Sequence, residues 1–245
     1  METKDKYSPE EVLAIFQANY LQQQQFDPET EPGETLTFDT TIAEWSNICD
    51  LVEPTKLAKY FNHFFELNVS IDKWLFVLQP EDSKRMELLC KFISEKAIKP
   101  KINPVKVFGT LCQHAATFKF LMSKLEKKGA EVKGIKPSSL VEPFAKKNLG
   151  LLIEEVNKLN PSTLPAVNYK MNFIYRLSSL LFLLGLGLLI ASIWASNLTS
   201  ISIILFGVGI VLSWLGAMFK PAKTSFKGIV TFRDLVEKID RKTYA

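Results

Sequence analysis

The sequence predicts a mainly α-helical protein, built from a helical bundle and a two-helix transmembrane hairpin. Three observations lead to this fold class. Between Leu177 and Phe219 there are 43 residues without a single Asp, Glu, Lys or Arg. Residues 1–170 hold 23 of the 26 acidic and 22 of the 30 basic residues. Their apolar side chains recur at helical spacing, which is typical of amphipathic helices.

Residues 1–26 are predicted to form an N-terminal amphipathic helix, or arm. Ser8 is a candidate N-cap, Pro9 suits the first helical position, and Glu11 completes a capping box. Residues 27–40, rich in Pro, Gly, Thr and acidic residues, are predicted to be a flexible linker. Such a linker would make the first helix peripheral to the rest of the bundle.

Residues 41–165 are predicted to form a helical domain, with its strongest aromatic pattern over residues 57–65. Residues 74–78 are a continuous apolar run, which suits either a strand or a short helix. A helix is expected to start at Pro80, and the best amphipathic helix of the chain is expected over 111–125. The apolar periodicity is long enough to provide a real core.

Residues 172–195 and 201–219 are predicted to be transmembrane helices, joined by a short outer loop over 196–200. A crossing of the roughly 30 Å hydrocarbon layer takes about 20 residues, so the uncharged run suffices for two. Basic residues flank the run whereas the loop is uncharged, which predicts that both chain ends are cytoplasmic. The residues expected at the membrane interface are Lys170, Arg176, Trp194, Lys220 and Lys223.

Small residues recur at a four-residue spacing on each of these two helices. They are Gly187, Ala191 and Ala195 on the first, and Gly209, Ser213 and Ala217 on the second. Small side chains let helix backbones approach closely, so the pattern predicts a tightly packed hairpin or a homo-oligomer built through these helices. The alternative is that such residues are simply frequent in membrane helices.

Residues 220–245 are predicted to be a basic cytoplasmic tail with an amphipathic helix. This helix suits a position on anionic lipid or a position against the bundle. The chain is expected to lack a cleavable secretion signal, and its three widely spaced cysteines suit a reducing compartment. The expected localisation is therefore a membrane, crossed twice, with the helical domain on the cytoplasmic side.

Charge is divided unevenly along the chain. Residues 1–53 hold 12 acidic residues and two lysines, whereas residues 84–147 hold 15 basic and five acidic residues. The basic region suits anionic lipid, the acidic N-terminal arm or nucleic acid as its partner, with a solvated helix face as the default. Arg85 is its only arginine and no aromatic binding signature accompanies it, which disfavours nucleic acid.

Candidate metal ligands are few. Cys112 and His114 could combine with Cys90 or Cys49, but none of these residues has the paired spacing of a structural zinc site. Each cysteine has apolar neighbours, as a buried core residue has. No phosphate-binding or dinucleotide-binding motif is present, so the sequence predicts neither a metal nor a cofactor.

Candidate catalytic residues are equally few. His63 and His114 are the only histidines, and the pair Glu81 and Asp82 has a structural explanation as the acidic first turn of a helix. The sequence therefore favours a non-enzymatic interaction, scaffold or assembly module at a membrane face, with a protein partner or a second copy. Two alternatives remain open: a membrane-tethered enzyme acting on lipid or nucleotide, and an oligomeric pore-forming effector.

Overall fold

The computed structural model describes residues 5–25, 33–49, 51–161, 163–170, 173–191, 199–218 and 223–243. Across these residues the protein is mainly helical, as predicted, with little sheet. The helices are α1 Pro9–Gln23, α2 Ile42–Cys49, α3 Pro54–Phe64, α4 Ile71–Leu78, α5 Met86–Ser94, α6 Gln113–Lys127, α7 Val141–Leu159, α8 Phe173–Ala191, α9 Thr199–Met218 and α10 Phe232–Thr243. The strands are β1 Val105–Val107, β2 Thr110–Cys112, β3 Val167–Lys170 and β4 Lys223–Phe226.

The chain divides into two compact units. The first consists of Met1–Val141, Asn148–Val167 and Phe226–Ala245, and the second of Glu142–Lys147 and Asn168–Ser225. The boundary crosses α7, whose helical backbone is interrupted at Asn148 with φ −136° and ψ 37°. The first unit contains α1 to α6 and α10, and the second contains α8 and α9.

The helix α1 begins with the capping box that the sequence predicts. The Glu11 N–H donates to Ser8 Oγ at 3.2 Å, and the Ser8 N–H donates to Glu11 Oε2 at 2.9 Å. Val12 and Ile15 on its apolar face are fully buried. The first helix is thus part of the main core and not a peripheral arm.

The predicted flexible linker, 27–40, lies only partly within the described residues. Residues 27–32 fall outside them. Beyond that point Leu36 is buried, and its N–H donates to Gln17 Oε1 at 2.6 Å. This end of the segment is therefore anchored on α1 by a buried apolar side chain and a hydrogen bond.

Aromatic rings form the centre of the first unit. Phe16 of α1 lies 5.1 Å from Trp45 of α2, and Phe61 of α3 lies 5.2 Å from Trp74 of α4, measured between ring centroids. Trp74 is fully buried, and its Nε1–H donates to Asn62 Oδ1 at 3.0 Å. The apolar run that suited a strand or a helix is therefore the helix α4, oriented inward by its tryptophan.

The segment before α5 is a turn, although a helix was expected to start at Pro80. The N–H groups of Ser83 and Lys84 donate to Pro80 O, both at 3.1 Å. The Ile42 N–H donates to Lys84 O at 2.8 Å, and the Met86 N–H donates to Thr40 O at 2.9 Å. Because these bonds commit the backbone to a neighbouring segment, the helix begins only at Met86.

The C-terminal helix α10 packs on the bundle, which decides between the two positions that the sequence allowed. Its apolar residues Phe232, Leu235, Val236 and Ile239 are all buried. The ring of Phe118 in α6 lies 6.3 Å from that of Phe232, and Asn160 Nδ2 donates to Ile239 O at 2.8 Å.

The second unit is a helical hairpin beside a short sheet. Strands β3 and β4 are hydrogen-bonded neighbours in a two-stranded sheet. The rings of Phe182 in α8 and Phe206 in α9 contact each other, with their centroids 4.7 Å apart and their planes tilted by 33°. The contact of residue 182 with 206, together with the approach of Gly185 to Phe206 and of Gly209 to Phe182, makes the two helices antiparallel.

The predicted transmembrane hairpin is contradicted. Within the described residues, none of the helices has both the length and the apolar character that a bilayer crossing requires. Because α8 begins at Phe173, Arg176 lies in its first turn and 15 uncharged residues remain. These span roughly 22 Å, against about 30 Å of hydrocarbon. The predicted two spans and the two-pass membrane localisation are therefore wrong, and the predicted cytoplasmic position of both chain ends loses the spans on which it was based.

Acid is expected to destabilise the first unit partly through Glu11. Partial burial opposes ionisation, but Lys99 Nζ at 2.5 Å and the Ser8 N–H hold the pKa of Glu11 below its usual value. Since the folded pKa lies below the unfolded value of about 4.3, this stabilisation is present above that pH and is lost as the pH falls through the folded pKa. Glu11→Gln keeps an amide oxygen for the Ser8 N–H but removes the charge, so it should lower the unfolding free energy by less than about 1 kcal/mol at pH 7 and by less still at pH 3. The ion pair is more than a third exposed, so its own share is small.

Urea unfolding at the two pH values, followed by the fluorescence of the buried Trp45 and Trp74, measures this difference. Glu126→Gln, at an exposed position of α6, is the matched control and should change little at either pH. An equal loss for Glu11→Gln at pH 7 and pH 3 would contradict the linkage.

Candidate functional site

The two histidines lie in different surroundings. His63 is exposed in the last turn of α3. His114, in the first turn of α6, places Nδ1 2.5 Å from Oδ2 of Asp240 in α10, and Thr117 Oγ1 donates to the other carboxylate oxygen at 2.8 Å. The Asp240 side chain is 7% exposed, whereas that of His114 is 54% exposed. This arrangement supplies a buried carboxylate with two donors and ties α10 to α6.

The acidic pair Glu81 and Asp82 lies in the turn before α5. Both residues border an open groove of about 810 Å³, together with Asp72 and Phe76 of α4. This placement removes the helix-dipole explanation for the pair, because the helix starts only at Met86. The groove is therefore a surface feature with a concentration of negative charge.

The cysteines remain separate thiols. Cys49 and Cys90 are buried and Cys112 is partly buried, and all three are free. Burial raises the pKa of the Cys90 thiol to about 12, so it is protonated and unreactive at neutral pH. Among the described residues, no three His, Cys, Asp or Glu side chains are grouped as metal ligands.

The residues predicted at the membrane interface take other positions. Lys170 and Lys223 lie on the neighbouring strands β3 and β4, and Arg176 lies in the first turn of α8. Trp194 and Lys220 fall outside the described residues, as does most of the predicted outer loop.

Of the six small residues predicted to pack the hairpin, Gly209 lies against the neighbouring helix and Gly187 does not. A Cβ on Gly209 would lie 2.8 Å from the backbone N of Phe182, whereas a Cβ on Gly187 would have nothing within 4 Å. Gly185, which the spacing did not single out, would place a Cβ 2.6 Å from the backbone N of Phe206. Ala191, Ser213 and Ala217 lie in the helices, and Ala195 lies outside the described residues.

The sequence analysis did not predict a buried ion cluster that lies between α6 and α7. It consists of Lys128, Glu155 and Lys158, whose side chains are 7%, 3% and 8% exposed. Glu155 Oε1 lies 2.9 Å from Lys128 Nζ and 2.5 Å from Lys158 Nζ. Lys158 Nζ also donates to Phe64 O at 3.0 Å. One carboxylate therefore holds two buried ammonium groups.

The two lysines of the buried ion cluster respond differently to burial. Burial lowers the pKa of Lys158 and outweighs the attraction of Glu155. Burial also acts to lower the pKa of Lys128, but the neighbouring Glu155 and Glu154 outweigh it, and the net shift is upward. Burial and then the charge of Glu154 raise the pKa of Tyr60, whose hydroxyl donates to Glu154 at 3.1 Å.

A cavity of about 170 Å³ borders the buried ion cluster, with Lys96, Lys124 and Lys158 in its lining. Each of these lysines has an acidic neighbour. Lys158 pairs with Glu155, Lys124 forms an ion pair with Glu66, and Lys96 lies 3.5 Å from Glu95. Since its cations are already neutralised, the cavity has no excess charge for an anionic ligand, and the cluster acts structurally.

Part of the buried ion cluster can be recognised from the sequence pattern of α7, given that this segment is a helix. Glu155 lies three residues after Leu152 and four before Leu159, on a face that otherwise carries apolar side chains. Lys158 follows three residues later, within reach of the same carboxylate. A charged pair within an apolar stripe indicates a buried ion pair, but its third member, Lys128, lies too far along the chain to be inferred.

The strongest surface feature of the second unit is the apolar face, defined as the large apolar side chains of α8 after Arg176 and of α9 that are a third or more exposed. On α8 they are Leu177, Leu180, Leu183, Leu184, Leu186 and Ile190, and on α9 they are Ile203, Ile204, Val208, Ile210, Val211 and Trp214. Their individual exposures run from 37% at Leu177 to 67% at Trp214. This surface carries no charged side chain.

Comparison of the chain with protein families, curated proteins and solved structures found no match. Its function must therefore be inferred from the geometry of its own residues.

Proposed function

We propose that the chain is a non-enzymatic interaction module that self-associates through the apolar face of α8 and α9, so that two hairpins form a four-helix bundle. The observation that carries this proposal is the apolar face itself. A monomer that left these side chains in water would forgo the largest source of stabilisation available to them.

The size of the apolar face supports a stable contact. Its side chains expose on the order of 600 Å², taking roughly 100 Å² for a fully exposed large side chain. The largest apolar patch of a typical monomer is about 300–600 Å², and each partner in a standard interface contributes about 800 Å². The exposed apolar area of the two helices together is thus at the upper limit for an uncovered patch and near what one partner contributes to an interface.

The composition of the apolar face favours a second copy over a different protein. A two-fold contact brings identical surfaces together, so a charged surface would place like charges opposite one another. Residues 177–219 contain no charge that could oppose such a contact. Homodimer interfaces are also more apolar than those between different, separately stable proteins.

The helical spacing of the exposed side chains suits packing between helices. Leu180, Leu183 and Leu184 follow the i, i+3, i+4 pattern on α8, and Ile204, Val208 and Val211 follow i, i+4, i+7 on α9. Such stripes are what helices of a four-helix bundle present to one another.

Sedimentation velocity of the purified full chain over a hundredfold concentration range tests the proposal. The unmodified chain should be a dimer or larger, and Leu183→Glu should weaken the association at least tenfold because it buries an unpaired carboxylate. Val52→Glu, which introduces the same charge at a 52% exposed apolar position of the first unit, should leave the association unchanged.

A chain that stays monomeric over the whole range would contradict the proposal, and so would equal effects of Leu183→Glu and Val52→Glu. The same preparation should be mixed with lipid vesicles and floated on a gradient. A monomer that floats with the vesicles would show that the apolar face is covered by lipid and not by a second copy.

A further inference from the structure

We infer that copies of this chain also make a head-to-tail contact, in which the tip of the β1–β2 hairpin of one copy docks in the acidic groove of the next. The basic tip is defined as Lys101, Lys106, Phe108 and Leu111. The acidic groove is defined as Asp72, Phe76, Glu81 and Asp82. Both surfaces belong to the first unit, so this contact is independent of the proposed association through α8 and α9.

The turn of the basic tip carries an aromatic side chain, Phe108, that is not buried within its own chain. Strands β1 and β2 are antiparallel, with Val107 opposite Thr110, so that Phe108 and Gly109 form a two-residue turn. Both have positive φ, +48° and +86°. Gly109 adopts this conformation without strain, whereas at Phe108 it costs roughly 1–2 kcal/mol.

Phe108 is fully exposed, so burial within its own chain does not offset that cost. Leu111, two residues beyond the turn, is 69% exposed. A strained backbone that holds a large apolar side chain in water favours a role in binding. Aromatic side chains presented in this way are typical anchors of protein interfaces.

The sequence that contains the basic tip carries charge of one sign. From Lys96 to Leu125 there are six lysines and no Asp or Glu, and of these Lys96, Lys99 and Lys124 already pair with acidic residues elsewhere in the chain. Lys101 precedes β1 and Lys106 lies within it, and both are exposed. The partner surface should therefore be negative around an apolar centre.

The acidic groove has that composition. Its volume is about 810 Å³, and Phe76 lies in its lining with 70% of its surface exposed. Asp72, Glu81 and Asp82 supply the negative charge. Lys84 Nζ lies 4.7 Å from the centroid of the Phe76 ring, so one cation already lies above this ring. The charged side chains in the lining of the groove are the acidic ones.

The backbone around the acidic groove is held in place before any partner arrives. The turn that carries Glu81 and Asp82 is fixed by the hydrogen bonds between Ile42 and Lys84 and between Met86 and Thr40. The Ala43 N–H donates to Glu81 O at 3.2 Å. A preorganised groove loses little conformational entropy when a hairpin tip enters it.

The complementary surfaces do not satisfy each other within one chain, because Phe108 and Phe76 both remain largely exposed. A second copy therefore supplies the tip that occupies the groove. The groove of that second copy receives the tip of a third copy. A contact between two different surfaces of one protein is heterologous, so it builds open chains or closed rings.

Photocrosslinking tests this contact in the full chain. The photoreactive analogue p-benzoylphenylalanine replaces Phe108, and chains labelled with heavy and light isotopes are mixed before irradiation. Mass spectrometry should then identify crosslinks from position 108 to the segment 72–82, containing one heavy and one light chain. Crosslinks confined to one chain, to another segment or to a co-purifying protein would overturn the inference.

Charge exchange provides the specificity control. Lys101→Glu with Lys106→Glu should reduce the crosslink yield by about tenfold, because like charges then face each other. Adding Glu81→Lys and Asp82→Lys to the same chain should restore most of the yield. Failure of this restoration would reduce the contact to nonspecific collision.

The Leu183→Glu variant separates this inference from the proposed association through the apolar face. The crosslink to 72–82 should persist in that variant, because neither surface involves α8 or α9. Loss of the crosslink only there would mean that position 108 reaches 72–82 as a consequence of the other contact, and would overturn an independent head-to-tail site.

Discussion

Replacing Glu155 with alanine is expected to lower the unfolding free energy of the first unit by about 3–5 kcal/mol, the cost of leaving a buried charge unpaired. Glu155 lies between Lys128 and Lys158, whose side chains are both less than a tenth exposed, and the other acidic neighbour of Lys128, Glu154, is more distant at 3.5 Å. Without the carboxylate, two cations would face each other away from water. Urea unfolding followed by the fluorescence of Trp45 and Trp74 measures the change.

The surface pair Glu87 and Lys91 is the matched control. Its N···O distance is also 2.5 Å, but both side chains are at least half exposed. Glu87→Ala should therefore lower the unfolding free energy far less than Glu155→Ala does, since solvent screens the pair. If Glu155→Ala costs no more than Glu87→Ala, the buried ion cluster does not behave as an unscreened group of charges.

A triple variant separates the value of the charges from the penalty of breaking them. Lys128→Met, Glu155→Leu and Lys158→Met together remove all three charges and keep similar side-chain volumes. Replacement of a complete buried ion network by apolar residues is often neutral or stabilising by about 1–4 kcal/mol. The triple variant should therefore be much more stable than Glu155→Ala, although both variants replace Glu155.

Local signals were sufficient to predict much of the first unit. The start of α1 at Ser8, Pro9 and Glu11 depends on contacts within four residues, and it was predicted correctly. The helical period of α6 and of α10 is likewise a property of short windows. The mainly helical fold follows from such signals, because each amphipathic segment specifies its own buried face.

Features that depend on distant pairing could not be predicted in the same way. The turn at 80–85 exists because Thr40 and Ile42 hydrogen-bond to Met86 and Lys84, more than 40 residues along the chain. Lys128 meets Glu155 only when α6 and α7 pack together. Neither arrangement has a local signature, since any exposed helix also carries lysine and glutamate.

The membrane prediction was wrong because composition does not locate helix ends. The uncharged run of residues 177–219 has the right total length for two crossings. In the structure, however, α8 is Phe173–Ala191 with Arg176 in its first turn, and α9 begins at Thr199, two residues before the predicted start at 201. The uncharged run is present as predicted, but a count of its residues does not determine where α8 and α9 begin and end.

Adding a methyl group at Gly185 or Gly209 is expected to destabilise the α8–α9 hairpin, whereas the same change at Gly187 or Gly207 should not. A Cβ on Gly185 would lie 2.6 Å from the Phe206 backbone, and one on Gly209 would lie 2.8 Å from the Phe182 backbone. The obstructing atoms are backbone, so the helices themselves must separate. Overpacking of this kind costs about 1–3 kcal/mol and exceeds the roughly 1 kcal/mol by which alanine favours a helix over glycine.

Gly187→Ala and Gly207→Ala are the matched controls, because a Cβ at either position has nothing within 4 Å. They should stabilise the hairpin by up to about 1 kcal/mol. Hydrogen exchange of the α8 and α9 amides measures the free energy of local opening, which should fall for the first pair of variants and rise for the second. Changes of the same sign in all four variants would mean that the close approach of the helices does not determine the stability of the hairpin.

The double variant Gly185→Ala/Gly209→Ala gives the most discriminating result. A Cβ on Gly185 would meet the backbone of Phe206, and a Cβ on Gly209 would meet that of Phe182. The rings of these two phenylalanines contact each other, so the two clashes lie in one region of the helix contact. One outward shift of α9 therefore relieves both clashes, and the combined cost should be smaller than the sum of the two single costs. The same shift would displace the apolar face, so the double variant should also weaken self-association in sedimentation, whereas Gly187→Ala/Gly207→Ala should preserve it.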